Sequence, residues 1–347
     1  MRDVIRRFAL PGARPAPPWA ARRASDDYGV AATPDWREVD WSQHLHQVEL
    51  AGRRVNYCDY GEARDGARPV VLVHGIAACW QSWLEQIPRL AAEGRRVIAI
   101  DLPGFGASEM PREDISIEGY GRTVESLCDM LDLGQVVVAG HSMGGFTAAE
   151  FAIQYPERVE RLVLQAAAGI STNDVQREPT LAGGRLFVAL SAQAAARSDA
   201  VVTRPRMRWL ALQIVVRHPS RIPADLAWEL VSHADTEGFR LALEAILGYD
   251  FRERLSQIQC PTLIVWGKED VIVPAQDADE YERVIAGARK VVFEDTGHSP
   301  MMERPQTFND CVVKWLAEEV DERPSEGQLE DAKAAGGEEP LGTGSRG

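Results

Sequence analysis

The feature that most constrains this chain is a serine held between a strand-like and a helix-like segment: Gly140-His141-Ser142-Met143-Gly144, followed by Gly145. Before it, VVVA (136–139) is a continuous apolar run, as expected of a strand buried on both faces. After it, FTAAEFAIQYP reads as a helix. A G-x-S-x-G in that context puts the serine on a strained strand-to-helix turn, where only small neighbours let the two elements approach. The helix starting there directs its free N–H groups and dipole toward negative charge.

Further apolar runs follow the same pattern: PVVLVHG (69–75), RRVIAIDLPG (95–104), RLVLQAAAG (161–169), PTLIVWG (261–267) and KVVFEDTGH (290–298). Helical stretches at 83–94 and 115–134 lie between them, and QVELAGRRVNYCDYG predicts a hairpin turning at Gly52. Strands alternating with helices predict an α/β fold, with a mostly parallel central sheet and helices on both faces. Residues 171–250 break the alternation with helical segments alone, which predicts a cap over the sheet's carboxyl edge.

The expected organisation is an N-terminal extension (1–47), a core in two parts (48–170 and 251–320) around the cap (171–250), and an acidic tail (321–347). Residues 1–25 are rich in Arg, Pro and Ala and are expected to be unordered; 26–47, with Trp36 and Trp41, are expected to pack as an arm. The tail is rich in Glu, Gly and Pro without apolar periodicity, which predicts disorder.

A formal charge of −14 and a pI near 5.1 argue against broad nucleic-acid binding. The five cysteines have no CxxC spacing and read as free thiols in a reducing compartment. Neither a metal nor a cofactor is expected, because ligand spacings, a G-x-G-x-x-G after a strand and a P-loop are all missing. No apolar run is long enough to span a bilayer, so no membrane partner is expected and the cytoplasm is the default location. The N-terminus is Arg-rich like a transit peptide, but IRRFAL is too short for a signal core and prolines follow it. The expectation is a solvated extension. Oligomeric state is not legible.

A serine hydroxyl needs a base to act as nucleophile at neutral pH. Of seven histidines, His298 stands at the end of the last strand, where a loop can return the imidazole over the sheet edge. Asp270, in WGKEDVIVP after another strand, is the candidate to orient it; Glu269 is the adjacent competitor, and Asp295 is too near His298 in sequence to reach around it. For an oxyanion, the expected donors are the backbone N–H groups of Met143 and of Ile76, in the loop after His74-Gly75.

With VLVHG, DLPGFGAS (101–108), AGHSMGG, PTLIVWGKEDVIVP and TGHSPMMERPQTF (296–308) in this order, the chain from about Leu50 to Ala317 resembles the α/β-hydrolase superfamily. The likeness is to its capped branch of esterases, meta-cleavage product hydrolases, haloalkane dehalogenases and epoxide hydrolases. It implies a turn at Gly104–Ser108 beside the active site, and structural roles for Glu303 and Pro305. Serine at 142, where the dehalogenases and epoxide hydrolases carry aspartate, implies an acyl-enzyme and a carbonyl substrate. The family's C–C hydrolases often carry asparagine before that serine and polar residues after HG. His141 and the apolar Ile76-Ala77-Ala78 depart from this pattern. The expectation is therefore hydrolysis of a carboxylic ester of a small to medium apolar substrate, with cleavage of a C–C bond next to a carbonyl as the alternative. A small-molecule ester or carbonyl compound is the expected partner, gripped by apolar cap residues, foremost Trp209 and Trp228.

Overall fold

The computed structural model describes residues 14–173, 177–232 and 237–319. In it, Ala51 and Gly52 both take positive φ (48° and 71°), the two-residue turn that matches the twist of a hairpin. They join β1 (Leu45–Leu50) to β2 (Arg53–Tyr60). β3 (Val70–Val73), β4 (Val97–Ile100), β5 (Val136–His141), β6 (Val159–Gln165), β7 (Thr262–Gly267) and β8 (Arg289–Phe293) complete an eight-stranded sheet, ordered β1-β2-β4-β3-β5-β6-β7-β8. β2 is antiparallel to both neighbours, and every pair from β4–β3 to β7–β8 is parallel.

The continuous apolar runs have a direct cause. β3, β4, β5 and β7 are buried at every position. Alternate residues such as Val71, Val73, Ile98, Ile100 and Val138 enter one core layer, leaving Val70, Leu72, Val97 and Ala99 for the opposite face. α1 (Ile87–Ala92), α2 (Ile117–Met130) and α3 (Met143–Gln154) accompany the first strands. The stretch read as one helix over 83–94 is divided. A 3₁₀ turn at Trp80–Trp83 precedes α1, whose first turn holds Pro88, where a missing N–H costs least. Ser116 caps α2 by accepting from the Gly119 N–H at 3.0 Å.

Between β6 and β7 lie α4 (Arg177–Ala195), α5 (Ser198–Thr203), α6 (Pro205–Leu212), α7 (Ala224–Ser232) and α8 (Phe239–Gly248). They touch loops beyond the carboxyl ends of strands. The Gly238 N–H donates to Gly104 O at 3.0 Å, and the Arg217 N–H to Glu303 Oε2 at 2.8 Å. α9 (Gln276–Val284), α10 (Pro300–Glu303) and α11 (Pro305–Leu316) follow β7 and β8. The chain divides into Met1–Trp315 and a second unit, Leu316–Gly347, described only as far as residue 319. The tail 321–347 and residues 1–13 therefore lie outside the described residues.

Residues 14–25 differ from the expectation of an unordered stretch. Pro18–Arg23 form a 3₁₀ helix, and the carbonyls of Arg14 and Ala16 accept from Arg217 Nη1 (2.7 Å) and Trp209 Nε1 (2.9 Å). Low apolar content misled because order here comes from side chains of the cap, which local composition does not report. The arm beyond it is anchored by Glu85, which accepts from the Ala32 N–H (2.7 Å) and from Trp36 Nε1 (3.0 Å).

Candidate active site

Ser142 joins β5 to α3 at φ 54° and ψ −117°, a conformation that costs a non-glycine residue about 1–3 kcal/mol. The glycines around it meet a steric demand. A Cβ on Gly140 would lie 2.1 Å from Gly144 O, and one on Gly144 would lie 2.1 Å from Val73 O. Neither position accepts a side chain. The Ser142 N–H donates to Gln165 O at 3.0 Å, and its carbonyl accepts from Phe146 and Ala168, both at 3.1 Å. The strained turn is thus fixed to the end of β6.

Asp270 follows β7 and is 2% exposed. Its Oδ1 accepts the N–H groups of Ile272 (2.8 Å) and Val273 (3.0 Å), leaving Oδ2 for His298 Nδ1 at 2.7 Å. That contact keeps the ring proton on Nδ1, so Nε2 is left as an acceptor. The competing acids are engaged elsewhere. Glu269 accepts from the Thr296 N–H at 3.0 Å, and Asp295 holds His218 Nε2 of the cap at 2.9 Å. Among the described residues the Ser142 hydroxyl has no hydrogen bond; in uncomplexed sites the serine–histidine contact is often loose and tightens with substrate.

Two further histidines frame the serine. His141 Nε2 donates to His298 O at 3.0 Å. Burial, then the neighbouring His298, pushes the His141 pKa well below its usual 6.5. His74 accepts the Leu102 N–H at Nε2 (2.9 Å) and donates from Nδ1 to Gly75 O (2.7 Å); burial lowers its pKa also. Both histidines brace backbone.

The expected oxyanion donors are free to serve a ligand. Among the described residues, neither the Ile76 nor the Met143 N–H has an internal acceptor; Met143 is the first residue of α3, where helix geometry supplies none. The Gly75 backbone comes so near the serine that a Cβ there would lie 3.2 Å from Ser142 Cβ. Asp101 stiffens this side, accepting from Trp80 N (2.7 Å), Asn56 Nδ2 (2.9 Å) and Ala107 N (3.0 Å).

Glu303 has a larger part than the structural role implied by resemblance. Its Oε2 accepts from the Tyr28 hydroxyl (2.5 Å), the Gly297 N–H (2.9 Å) and the Arg217 N–H (2.8 Å), and its Oε1 from the Ser299 N–H (3.1 Å). One buried carboxylate thus holds both neighbours of His298, the cap and the N-terminal arm. Burial raises its pKa, while the four donors pull it back. Tyr28 carried no signal in the sequence, since its partner is 275 residues away.

Ser142, His298, Asp270, Ile76 and Met143 all follow carboxyl ends of strands, at one edge of the sheet, whereas Trp209 is turned toward the N-terminal segment. Trp209 Nε1 donates to Ala16 O, and its ring lines an outer groove with Pro205 and Ala21. Trp228 Nε1 donates to Asp199 Oδ1 at 2.9 Å. Helical spacing gave the face of the cap; it did not report that the N-terminal segment reaches the Trp209 indole.

Comparison with known proteins bears on the fold. The family model for the alpha/beta hydrolase fold matches residues 68–305. A 2-hydroxy-6-oxononadienedioate/2-hydroxy-6-oxononatrienedioate hydrolase of Escherichia coli K12 is 32% identical over 290 residues, 78% of this chain and 94% of that protein. The enol-lactonase of Burkholderia xenovorans LB400 has 28% identity and a TM-score of 0.63, over 79% of this chain and all of that one. An esterase of Exiguobacterium antarcticum has 25% identity and a TM-score of 0.65, over 78% and 99%. On this agreement of sequence and topology, the chain belongs to the α/β-hydrolase fold family.

Proposed function

We propose that this protein is a serine hydrolase acting at a carbonyl carbon, with Ser142 as nucleophile, His298 as general base and Asp270 orienting the base. The carrying observation is the 2.7 Å bond from His298 Nδ1 to a carboxylate whose other oxygen is occupied by two backbone N–H groups. His298 Nε2 takes the Ser142 proton as Oγ attacks the carbonyl carbon. The oxyanion accepts from the N–H groups of Ile76 and Met143. Collapse expels the leaving group, protonated by His298, and water repeats the sequence on the acyl-enzyme.

The substrate we infer is a carboxylic ester of small to medium size and apolar character. The loop beside the serine presents Ile76, Ala77 and Ala78, and the His141 ring is committed to backbone rather than to a ligand. The likeness to an enol-lactonase and an esterase supports this reading. A second reading is favoured by the Escherichia coli relative, named for 2-hydroxy-6-oxo dienedioates, whose hydrolysis breaks a C–C bond beside a carbonyl. The deciding experiment measures kcat/KM on p-nitrophenyl esters of increasing acyl length beside a 2-hydroxy-6-oxo dienoate. Ester turnover that exceeds dienoate turnover is expected; the reverse order would assign the C–C reaction.

A further inference from the structure

The chain carries a formal charge of −14, yet one groove on its surface is bordered by three arginines that have no ion-pair partner among the described residues. The 3₁₀ helix Pro18–Arg23 and α6 border a groove of about 390 Å³, walled by Ala21, Pro205 and Trp209, with Arg22, Arg206 and Arg221 around it. All three arginines are exposed. Among the described residues none of them has a carboxylate partner, whereas Arg37, Arg158 and Arg304 are all paired. Large apolar side chains stand out on the same two elements: Trp19 is 72% exposed, Met207 43% and Leu210 42%. Trp19 and Arg22, three residues apart on a three-residue turn, share one face.

We propose that this face, formed by the N-terminal segment and α6, docks the protein on a membrane surface rich in anionic lipid. Guanidinium groups without partners suit phosphate headgroups, to which they donate two bonds at once. An exposed tryptophan between them suits the boundary of headgroup and acyl chain, where its amphipathic ring settles. The negative charge on the rest of the molecule is no obstacle at physiological salt, since charges beyond about 8–10 Å are screened. No helix among the described residues is long and apolar enough to cross a membrane. The contact is therefore interfacial, and it departs from the expectation of no membrane partner, which rested on the lack of a spanning run alone.

The test is co-sedimentation of the full-length protein with phosphatidylcholine vesicles containing about 30% phosphatidylglycerol, and with phosphatidylcholine alone, at about 0.1 M salt and at raised salt. Binding to the anionic vesicles alone, weakened by salt, is expected. Each arginine near such a surface is worth about fivefold in partitioning, so Arg22→Glu/Arg206→Glu/Arg221→Glu together should weaken binding by at least about a hundredfold. Trp19→Ala should weaken it at both salt concentrations. Soluble-ester turnover and melting temperature serve as controls and should stay at wild-type values, which separates this proposal from the catalytic one. Equal binding to both vesicle types, no binding at about 0.1 M salt, or binding unchanged by charge reversal would each overturn it. Inorganic phosphate at millimolar concentration should not displace the vesicles; displacement would mark a site for free phosphate and overturn the membrane assignment.

Discussion

His141 donates from Nε2 to the main-chain carbonyl of His298 at 3.0 Å, so the residue preceding the strained serine grips the backbone of the histidine proposed to act on it. A carbonyl oxygen cannot donate, so the His141 proton is on Nε2, and among the described residues its buried Nδ1 is without a partner. From the other side, Glu303 accepts the N–H groups of Gly297 and Ser299. His298 is thus held by backbone contacts at three consecutive residues, while Asp270 holds its ring.

Ser142→Ala should lower ester turnover by about 10⁴-fold or more, leaving whatever the oxyanion donors supply on their own. Ser142→Gly should be equally inactive but more stable than wild type, by about 1 kcal/mol, because glycine accepts positive φ without strain. Circular dichroism melts of the two variants separate strain from chemistry. Near-native hydrolysis by either would remove Ser142 from the mechanism.

The serine turn, the strands and the parallel sheet were legible because each is a local pattern. A buried strand is a continuous apolar run, and the turn is a motif with required flanks. The contact between Asp270 and His298 was legible from their places after strands, their roles in chemistry being the proposal. The contacts that hold His298 were not. Tyr28 reaches Glu303 from an arm that local composition leaves featureless, and His141 acts through a ring nitrogen whose direction no spacing reports. The place of Trp209 was not legible for a related reason. Periodicity finds the apolar face of a helix but not the element that covers it.

Glu303→Gln should reduce kcat more than it raises KM. The carboxamide must turn an NH₂ toward donors that now meet an oxygen, which costs about 1–3 kcal/mol and loosens the backbone on both sides of His298. Tyr28→Phe removes one of the four donors and should show a milder version of the same split. A Glu303→Gln enzyme with lowered melting temperature but unchanged kcat would reduce Glu303 to a fold-stabilising residue.

Stability should decline as pH falls below about 6.5, and the sign follows from the two buried histidines. The folded pKa of His141 and of His74 is depressed by burial, so below 6.5 the unfolded chain binds protons that the folded one excludes. Their stabilisation is fully present above 6.5 and is lost as pH drops toward the folded values, by at most about 1.4 kcal/mol per pH unit for each. His141→Gln, which keeps a donor for His298 O, should flatten the melting-temperature profile between about pH 5 and 6.5. An unchanged slope in that variant would mean that other groups carry the acid sensitivity.

Trp209→Ala should act on stability and not on acyl-chain preference. Its indole N–H is bonded to Ala16 O and its ring lines the outer groove, so the substitution removes one of the ties between the cap and the N-terminal segment. Loss of one hydrogen bond and of partly buried ring contacts predicts a cost of about 1–3 kcal/mol. Ile76 is the contrasting position, because its loop flanks Ser142 and its half-buried side chain packs against the core. Ile76→Ala should enlarge the space beside the serine and shift the optimum toward longer or bulkier acyl groups, by several-fold in relative kcat/KM. Measured across acetate, butyrate, hexanoate and octanoate esters, the tryptophan variant should give the wild-type profile at a lower melting temperature, and the isoleucine variant a displaced one. A displaced profile for Trp209→Ala would return that residue to the substrate pocket.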